Sequence, residues 1–319
     1  IIQNVAIYCR IRSCSTLIIS MYYLIYGLLY IISLLPFFIL YGISDFAYFI
    51  IYRMAGYRKD VVFKNLAIAF PEKTEAERKQ IAKAFFKNLI DTFIETIKML
   101  SISEKEFNKR AVINLDECNA MAKRGINIQF QSGHQMNWEY VNWVTAKNLK
   151  MPFVGVYMKI KNKALDKIFY KQREKFGTVL VAATEFKSRM HQVFNQQYSL
   201  ALAADQNPGS PEHAYWLNFF SKPAPFVTGP DKGARRNKTA VVFVKFIIVK
   251  RGHYRFEPTI ITEDASTLKE GELTLVYRDF LEATIREHPD NYLWSHRRWK
   301  WEYKKEYGGR WIDRVEAPL

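Results

Sequence analysis

Cysteine is scarce in this chain, and no pattern for metal binding is present. Cys9, Cys14 and Cys118 are the three cysteines in 319 residues. None stands in a C-x-x-C pair or beside a histidine cluster, so the sequence suggests neither a zinc site nor a disulfide framework. The six histidines are scattered along the chain. We therefore expect no metal, no cofactor and a reducing compartment.

Several common catalytic motifs are also missing. The sequence contains no G-x-S-x-G, no H-E-x-x-H and no P-loop, which excludes serine hydrolases of the nucleophile-elbow type, helix-borne zinc proteases and P-loop nucleotidases. No internal repeat, low-complexity stretch or Gly/Ser linker divides the chain. We therefore predict a single main domain.

Charged residues are missing from Ser13 to Ser44. Residues 21–41 form an apolar run long enough to cross a hydrocarbon core of about 30 Å. Basic residues follow from Arg53 onward, which favours a cytoplasmic main domain. A buried core helix and a monotopic hairpin are alternatives, because residues 43–52 are also apolar.

We divide the chain on this basis. Residues 1–20 are interpreted as an upstream leader that is not native, because their arginines lie on the wrong side of the span. Residues 21–60 form the predicted membrane anchor, and residues 61–319 form the main domain.

Basic residues exceed acidic residues, with 47 Lys and Arg against 31 Asp and Glu and a formal net charge of +16. Nucleic acid, an anionic membrane surface and an acidic protein are the partner classes that such a charge suits.

The main domain alternates apolar strands with amphipathic helices, a pattern typical of an α/β fold with a largely buried sheet. A helix up to about residue 100 precedes this region, with apolar residues at every fourth position. The predicted strands are 126–131, 152–157, 178–181, 199–204, 240–249 and 254–261. The predicted helices between them are 137–148, 162–176 and 184–196.

A histidine and a carboxylate stand five residues apart after the first of these strands, in GHQMNWE from Gly133 to Glu139. We place His134 on the loop or first helical turn and Glu139 one turn later, from where the carboxylate can reach back to the imidazole. A histidine oriented by a carboxylate can remove a proton from a hydroxyl nucleophile.

This motif resembles the H-x4-D/E signature of the lysophospholipid acyltransferase superfamily, and G-H-x-x-N-W-E resembles its lipid A late acyltransferase branch. A C-terminal block, P-x-x-Y-x-W-x-H-x-R-W from Pro289, resembles the same family. Its mixture of Trp, Arg and Lys suits a membrane interface, nucleic acid or the packing of a terminal helix. The resemblance implies a glycerol-3-phosphate acyltransferase-like fold, with a mixed, largely buried sheet, flanking helices and an N-terminal membrane helix.

Further site residues follow from the other matching blocks. Asp205 and Gln206 come directly after the strand 199–204, where Asp205 either provides a second charge near His134 or shapes an ordinary turn. Arg173 either faces anionic groups of the substrate, as the resemblance implies, or ends a solvated helix. With Asn137 of the motif, these residues form the predicted substrate-binding set.

The resemblance implies transfer of a fatty acyl chain from acyl carrier protein to a hydroxyl of a lipid A precursor at the bacterial inner membrane. His134 would take the proton, Glu139 would hold the imidazole, and backbone N–H groups after Gly133 would bind the oxyanion. The implied partners are the carrier protein, the anionic acceptor and the membrane, without nucleic acid. Two alternatives stay open: another glycolipid, aminolipid or glycerolipid as acceptor, and a basic membrane protein without catalysis.

Overall fold

The computed structural model describes residues 21–318, so the expected leader at residues 1–20 lies outside the described residues. Two apolar helices come first, α1 (Met21–Leu34) and α2 (Phe37–Tyr48). Pro36 stands between them as the N-cap of α2, where its missing N–H does not break a helical hydrogen bond. The apolar run over residues 21–41 is therefore divided between two helices.

A π-helical segment, Phe49–Ala55, continues α2 without a break. Together, Phe37–Ala55 is long and apolar enough to cross a membrane by length and composition, and only 17% of its apolar window is buried. The expected N-terminal apolar helix is present, shifted toward the main domain.

Helices α3 (Lys59–Ala69) and α4 (Glu75–Lys98) lead into the main domain. The N-terminus of α4 carries a capping box, in which the Glu77 N–H donates to Thr74 Oγ1 and the Thr74 N–H donates to Glu77. This satisfies helix N–H groups that have no intrahelical partner. The predicted apolar stripe of α4 buries Phe85 and Leu89, whereas Phe93 is 52% exposed.

The main sheet has seven strands in the order β1-β9-β8-β2-β5-β3-β4. All neighbours are parallel except β8 and β9, so the sheet is mixed, as expected. Its strands are β1 (Ala111–Ile113), β2 (Ile128–Ser132), β3 (Phe153–Tyr157), β4 (Val179–Ala182), β5 (Ser199–Ala203), β8 (Ala240–Lys250) and β9 (His253–Thr262).

Helices flank this sheet and complete an α/β fold. They are α5 (Glu104–Arg110), α6 (Asp116–Lys123), α7 (Trp138–Asn148), α8 (Lys163–Arg173), α9 (Phe186–Val193), α10 (Gly229–Arg236) and α11 (Glu272–Glu287). A separate hairpin, β6 (Tyr215–Phe219) and β7 (Lys222–Phe226), was not predicted, and neither was β1. The six predicted strands and three predicted helices are confirmed, with bounds displaced by up to three residues.

The register of the two central strands determines where the site forms. β2 and β5 are parallel neighbours, and Ser132 pairs with Ala203. His134 and Asp205 each lie two residues beyond this pair. The carboxyl ends of β2 and β5 therefore bring the two side chains to the same edge of the sheet, where α/β proteins bind ligands.

Candidate active site

His134 and Asp205 form a close hydrogen-bonded pair at the carboxyl edge of the sheet. The imidazole Nδ1 lies 2.6 Å from Asp205 Oδ1. The imidazole side chain is 28% exposed, and the carboxylate is 2% exposed. An ionised carboxylate only accepts hydrogen bonds, so Nδ1 carries the proton and Nε2 of the neutral ring keeps its lone pair. This tautomer suits a general base whose Nε2 receives a proton.

The two groups shift each other's pKa. Burial alone lowers the pKa of His134, but the charge of Asp205 and the hydrogen bond to it are stronger, and the net pKa is raised above its usual value. Burial alone raises the pKa of Asp205, yet the charge and hydrogen bond of His134 hold it well below its usual range. Asp205 therefore stays ionised while the imidazole exchanges a proton.

Glu139 binds Arg173 and not His134. Arg173 Nε lies 2.9 Å from Glu139 Oε2, and Arg173 Nη2 lies 2.5 Å from Glu139 Oε1. Trp138 Nε1 donates to Glu139 Oε1 at 3.1 Å. The prediction that Glu139 orients the imidazole is therefore wrong, and Asp205 takes this place.

The physical reason lies in the start of α7. Asn137, the N-cap, has an extended backbone with φ −109° and ψ 107°, and the helix begins only at Trp138. His134 thus lies on a turn before the helix and not on its first turn. Glu139 stands in the first turn of α7 and points to Arg173 at the end of α8.

The Glu139–Arg173 pair is well buried, with 4% and 19% of the side chains exposed. Burial alone lowers the pKa of Arg173, but the hydrogen bonds and charge of Glu139 raise it above its usual value. Arg173 is therefore a permanent cation with its charge already compensated. The alternative of a solvated helix end does not hold for this side chain.

Asn137 is fully buried and stabilises the start of α7 through hydrogen bonds. Its Oδ1 accepts the N–H groups of Glu139 and Tyr140, and its Nδ2 donates to Glu95 Oε2 at 3.0 Å. Burial raises the pKa of Glu95 to about 7, and Tyr254 donates a further hydrogen bond to it. The expected contact of Asn137 with substrate does not fit this burial. Gln206, the remaining predicted binding residue, is partly exposed beside Asp205.

Two of the backbone donors expected to bind an oxyanion are already engaged. The Gln135 N–H donates to Gly133 O at 2.9 Å, and the Met136 N–H donates to Asn291 Oδ1 at 2.9 Å. A Cβ on Gly133 would lie 2.5 Å from Leu281 Cδ1, so any other residue here would require the buried Leu281 side chain to shift. The turn after β2 is thus a rigid support for His134.

The C-terminal segment 289–298 contacts the surroundings of both His134 and Asp205. The sequence did not predict this contribution. The Leu293 N–H donates to His134 O at 3.0 Å, and burial together with the nearby charge of Asp205 raises the pKa of the Tyr292 phenol. Asn207 Nδ2 donates to Arg297 O at 2.5 Å, and Arg298 Nη1 donates to Asn207 Oδ1 at 3.3 Å. The C-terminal block was visible in the sequence, but nothing in the sequence linked its Tyr292 and Arg298 to His134.

The tryptophans of this block pack inside the domain. Trp294 is 0% exposed and Trp299 is 9% exposed. Trp294 packs edge-on against Phe70 with the ring centroids 5.9 Å apart. Of the interpretations left open for this block, packing applies to these two residues.

Within residues 21–318, no group of three or more His, Cys, Asp or Glu side chains is arranged to hold a metal ion. The arrangement that is present, a histidine paired with a buried carboxylate at a sheet edge, suits proton abstraction from a hydroxyl. Arg173 lies on the neighbouring helix as a fixed cation.

Comparison with known protein families identifies the family of the chain. The model of the family "Bacterial lipid A biosynthesis acyltransferase" matches residues 10–301, which include every site residue described above. A search of curated proteins found no match. The family match covers most of the chain, and the predicted resemblance is confirmed. The chain belongs to the bacterial lipid A biosynthesis acyltransferases and is an O-acyltransferase.

Proposed function

We propose that this enzyme transfers a fatty acyl chain from acyl carrier protein to a hydroxyl of a lipid A precursor. The reaction takes place at the bacterial inner membrane, with the main domain facing the cytoplasm. The observation that carries this proposal is the His134–Asp205 pair, which leaves Nε2 as the basic nitrogen in a chain of this family.

His134 accepts and later returns the proton during the reaction. Nε2 of His134 takes the proton of the acceptor hydroxyl as its oxygen attacks the thioester carbonyl. The C–S bond of the resulting tetrahedral intermediate breaks, and the imidazolium returns the proton to the thiolate of the donor. Asp205 stabilises the imidazolium and keeps the proton of Nδ1 in place. A thiolate is a good leaving group, so no acyl-enzyme intermediate is required.

The Glu139–Arg173 pair has a separate role in this proposal. Glu139 engages Nε and Nη2 of Arg173 and so orients the guanidinium. Nη1, which Glu139 does not hold, is assigned to an anionic group of the acceptor. Guanidinium matches phosphate oxygens well because its donors form a planar fork. Glu139 is therefore a positioning residue for Arg173.

The net charge of +16 supports an acidic protein donor and a phosphorylated acceptor. Attraction between exposed charges is screened by salt. We therefore expect acyl carrier protein to be preferred over acyl-CoA with the same chain, and we expect the preference to shrink as the salt concentration rises.

The decisive experiment is lipid mass spectrometry of a strain that lacks this gene. The strain should accumulate lipid A missing one acyl chain, and the native gene should restore it. The His134→Ala variant should fail to restore it, whereas His191→Ala, on the exposed face of α9, should succeed. Unchanged lipid A together with loss of a chain from an aminolipid or glycerolipid would overturn the proposed acceptor.

A further inference from the structure

Arg298 is a buried cation beside the candidate site. Its side chain belongs to the C-terminal segment and is 0% exposed. Among residues 21–318 it makes one hydrogen bond to a side chain, from Nη1 to Asn207 Oδ1 at 3.3 Å, whereas Nε and Nη2 have no hydrogen-bond partner. Arginine keeps its proton in proteins. A full positive charge is therefore enclosed here without a hydrogen-bonded carboxylate.

The aromatic rings around Arg298 compensate its charge only in part. The guanidinium Cζ lies 4.2 Å from the centroid of the Phe226 ring and 5.2 Å from the centroid of the Phe219 ring. The face of an aromatic ring attracts a cation. However, moving a cation from water into a protein interior costs more free energy than neutral contacts return. A buried charge of this kind therefore needs a negative group nearby.

Asp205 supplies a negative charge within reach of Arg298. Asn207, which accepts the hydrogen bond from Arg298, follows Asp205 by two residues in the same loop. Burial lowers the pKa of Arg298, while the nearby Tyr292 and the charge of Asp205 oppose this shift. The Asp205 carboxylate is 2% exposed and is paired with His134. Because an imidazole must be neutral to act as a base, this pair carries a buried negative charge before the proton is transferred.

The other titratable groups around Asp205 do not supply a positive charge. Tyr277 and Tyr292 are fully buried phenols, and burial together with the charge of Asp205 raises the pKa of both well above its usual value, so both are neutral. Burial lowers the pKa of His296 to about 4. The Nε2 atom of His296 also accepts the N–H of Asn207 at 3.3 Å, so this imidazole is neutral near pH 7.

Two further arginines near the site also leave the charge of Asp205 uncompensated. Arg58 is exposed, and solvent and salt screen its charge. Arg173 is bound to Glu139. Within the part of the chain that the structure describes, these comparisons leave Arg298 as the buried cation without a carboxylate of its own beside Asp205.

We propose that Arg298 is a positioning residue that keeps Asp205 ionised beside a neutral His134. The guanidinium offsets the charge of the carboxylate, so the imidazole needs no additional proton and its Nε2 stays free to take the proton of the acceptor hydroxyl. Through Asn207, Arg298 also fixes the loop that carries Asp205. Without Arg298, the imidazole would become the compensating cation and would be inactive as a base up to a higher pH. This inference deepens the proposed function and rests on it for the role of His134 as the base.

The kcat–pH profile separates this role from packing. Arg298→Met keeps a long side chain and removes the charge, so it should move the acid limb to higher pH by on the order of one unit. Arg298→Lys keeps the charge and should retain most of the native position of the limb. Arg297→Met changes the exposed neighbouring arginine, keeps its backbone contact with Asn207 and should leave the limb in place. An acid limb that stays in place in Arg298→Met, or that moves equally in Arg298→Lys, would overturn the proposal.

Urea denaturation tests the same charge without any substrate. In Arg298→Met, the imidazolium of His134 replaces the missing cation at low pH. A group with a raised folded pKa stabilises the fold below that pKa and loses this contribution as pH rises through it. The loss of unfolding free energy relative to the native chain should therefore be small at about pH 6 and several times larger at about pH 9.

A packing role alone predicts the same loss of stability at both pH values, and this result would overturn the proposal. If Arg298→Met does not fold, Arg298→Gln, which retains a donor for Asn207, carries the same expectation in both experiments.

Failure of this inference and failure of the proposed function are distinguishable. If the acyl-transfer assignment fails, the pH-dependent stability difference of Arg298→Met remains, because it needs no substrate. If the inference fails, His134→Ala still loses acyl transfer, whereas Arg298→Met shows the same loss of stability at every pH.

Discussion

Two pairs of charged or titratable side chains at the candidate site, His134–Asp205 and Glu139–Arg173, have different properties. The first joins segments that follow two neighbouring strands, and it contains a histidine whose pKa is raised above its usual value because the charge of Asp205 and the hydrogen bond to it outweigh burial. The second joins the start of α7 to the end of α8 and contains an arginine whose pKa is raised further. One pair can therefore exchange a proton, whereas the other is a fixed charge.

The difference shows that proximity in the sequence does not determine which charges pair. His134 and Glu139 belong to one motif, yet each takes its partner from a distant segment, 71 residues and 34 residues away. The comparison predicts that the two carboxylates respond differently to the same substitution. The following experiments test that difference, from the largest expected effect to the smallest.

Loss of the base should have the largest effect. His134→Ala should lower kcat by about 10⁴-fold, the upper end for general-base catalysis, because the variant lacks the nitrogen that takes the proton. Turnover of a soluble acyl-carrier substrate measures this, with His191→Ala as the matched histidine control. Near-native turnover of a pure His134→Ala preparation would contradict the assignment of the base.

Neutralising the carboxylate at the imidazole should come next. Asp205→Asn should lower kcat by about 10²-fold or more, since the amide no longer stabilises the imidazolium. It should also move the acid limb of the kcat–pH profile to lower pH, because Asp205 raises the pKa of His134. Glu139→Gln should leave that limb in place. If the acid limb instead moves in Glu139→Gln and stays in place in Asp205→Asn, the result would support the original prediction that Glu139 orients the imidazole.

Neutralising the other carboxylate should act mainly on stability. Glu139→Gln leaves the buried Arg173 without its countercharge, which typically costs about 3–5 kcal/mol in the free energy of unfolding. Urea denaturation measures the loss. The double variant Glu139→Gln/Arg173→Gln should recover part of it, because no unpaired charge remains. Equal instability of the single and double variants would show that the pair is not energetically coupled.

The pH dependence of stability should also identify the titrating pair. His134 has a raised folded pKa, so its contribution is complete below about pH 6.5 and is lost as pH rises through the folded pKa. Asp205 has a lowered folded pKa, so its contribution is present above about pH 4 and is lost as pH falls through the folded pKa.

The pair therefore stabilises the fold fully between about pH 4 and pH 6.5. The difference in unfolding free energy between the native chain and Asp205→Asn should be largest in this window and smaller at pH 9. Denaturation at several pH values checks this. A difference that is constant from pH 5 to pH 9 would mean that His134 does not titrate against Asp205.

Removing a single polar group beside the His134–Asp205 pair should have the smallest effect. Tyr292→Phe deletes the hydroxyl that lies near Asp205 and keeps the packed ring. A neutral hydroxyl of this kind contributes no more than one hydrogen bond, about 0.5–1.5 kcal/mol, or up to about tenfold in kcat. Tyr303→Phe, in a different aromatic cluster, serves as the control. A loss as large as that of Asp205→Asn would show that Tyr292 contacts the reacting groups directly.

Local sequence was sufficient for six of the nine strands described and for three of the helices between them. The alternation of apolar strands and amphipathic helices depends on nearby residues, and six strands were predicted close to their observed positions. β1 and the β6–β7 hairpin were missed, since a three-residue strand and a strand with two prolines carry little periodic signal. The apolar run over residues 21–41 is divided between two helices because Pro36 stands between them.

The candidate site was predictable in its members and not in its contacts. His134, Glu139, Arg173 and Asp205 were all named from the sequence, the first two from the H-x4-E motif and the other two from blocks that resemble the family. The contribution of Asn291, Tyr292 and Arg298 was not visible, since these residues are more than 150 positions from His134.

The sequence by itself determined that the chain has an apolar N-terminal region, an α/β main domain and a histidine motif after a buried strand. These features follow from hydrophobic periodicity and from residue types at short range. Only the tertiary structure decided that Asp205 holds the imidazole and that Glu139 holds Arg173. The reason is physical: strand register places β2 beside β5, α7 begins only after His134, and buried charges pair with whichever partner packing brings within hydrogen-bond distance.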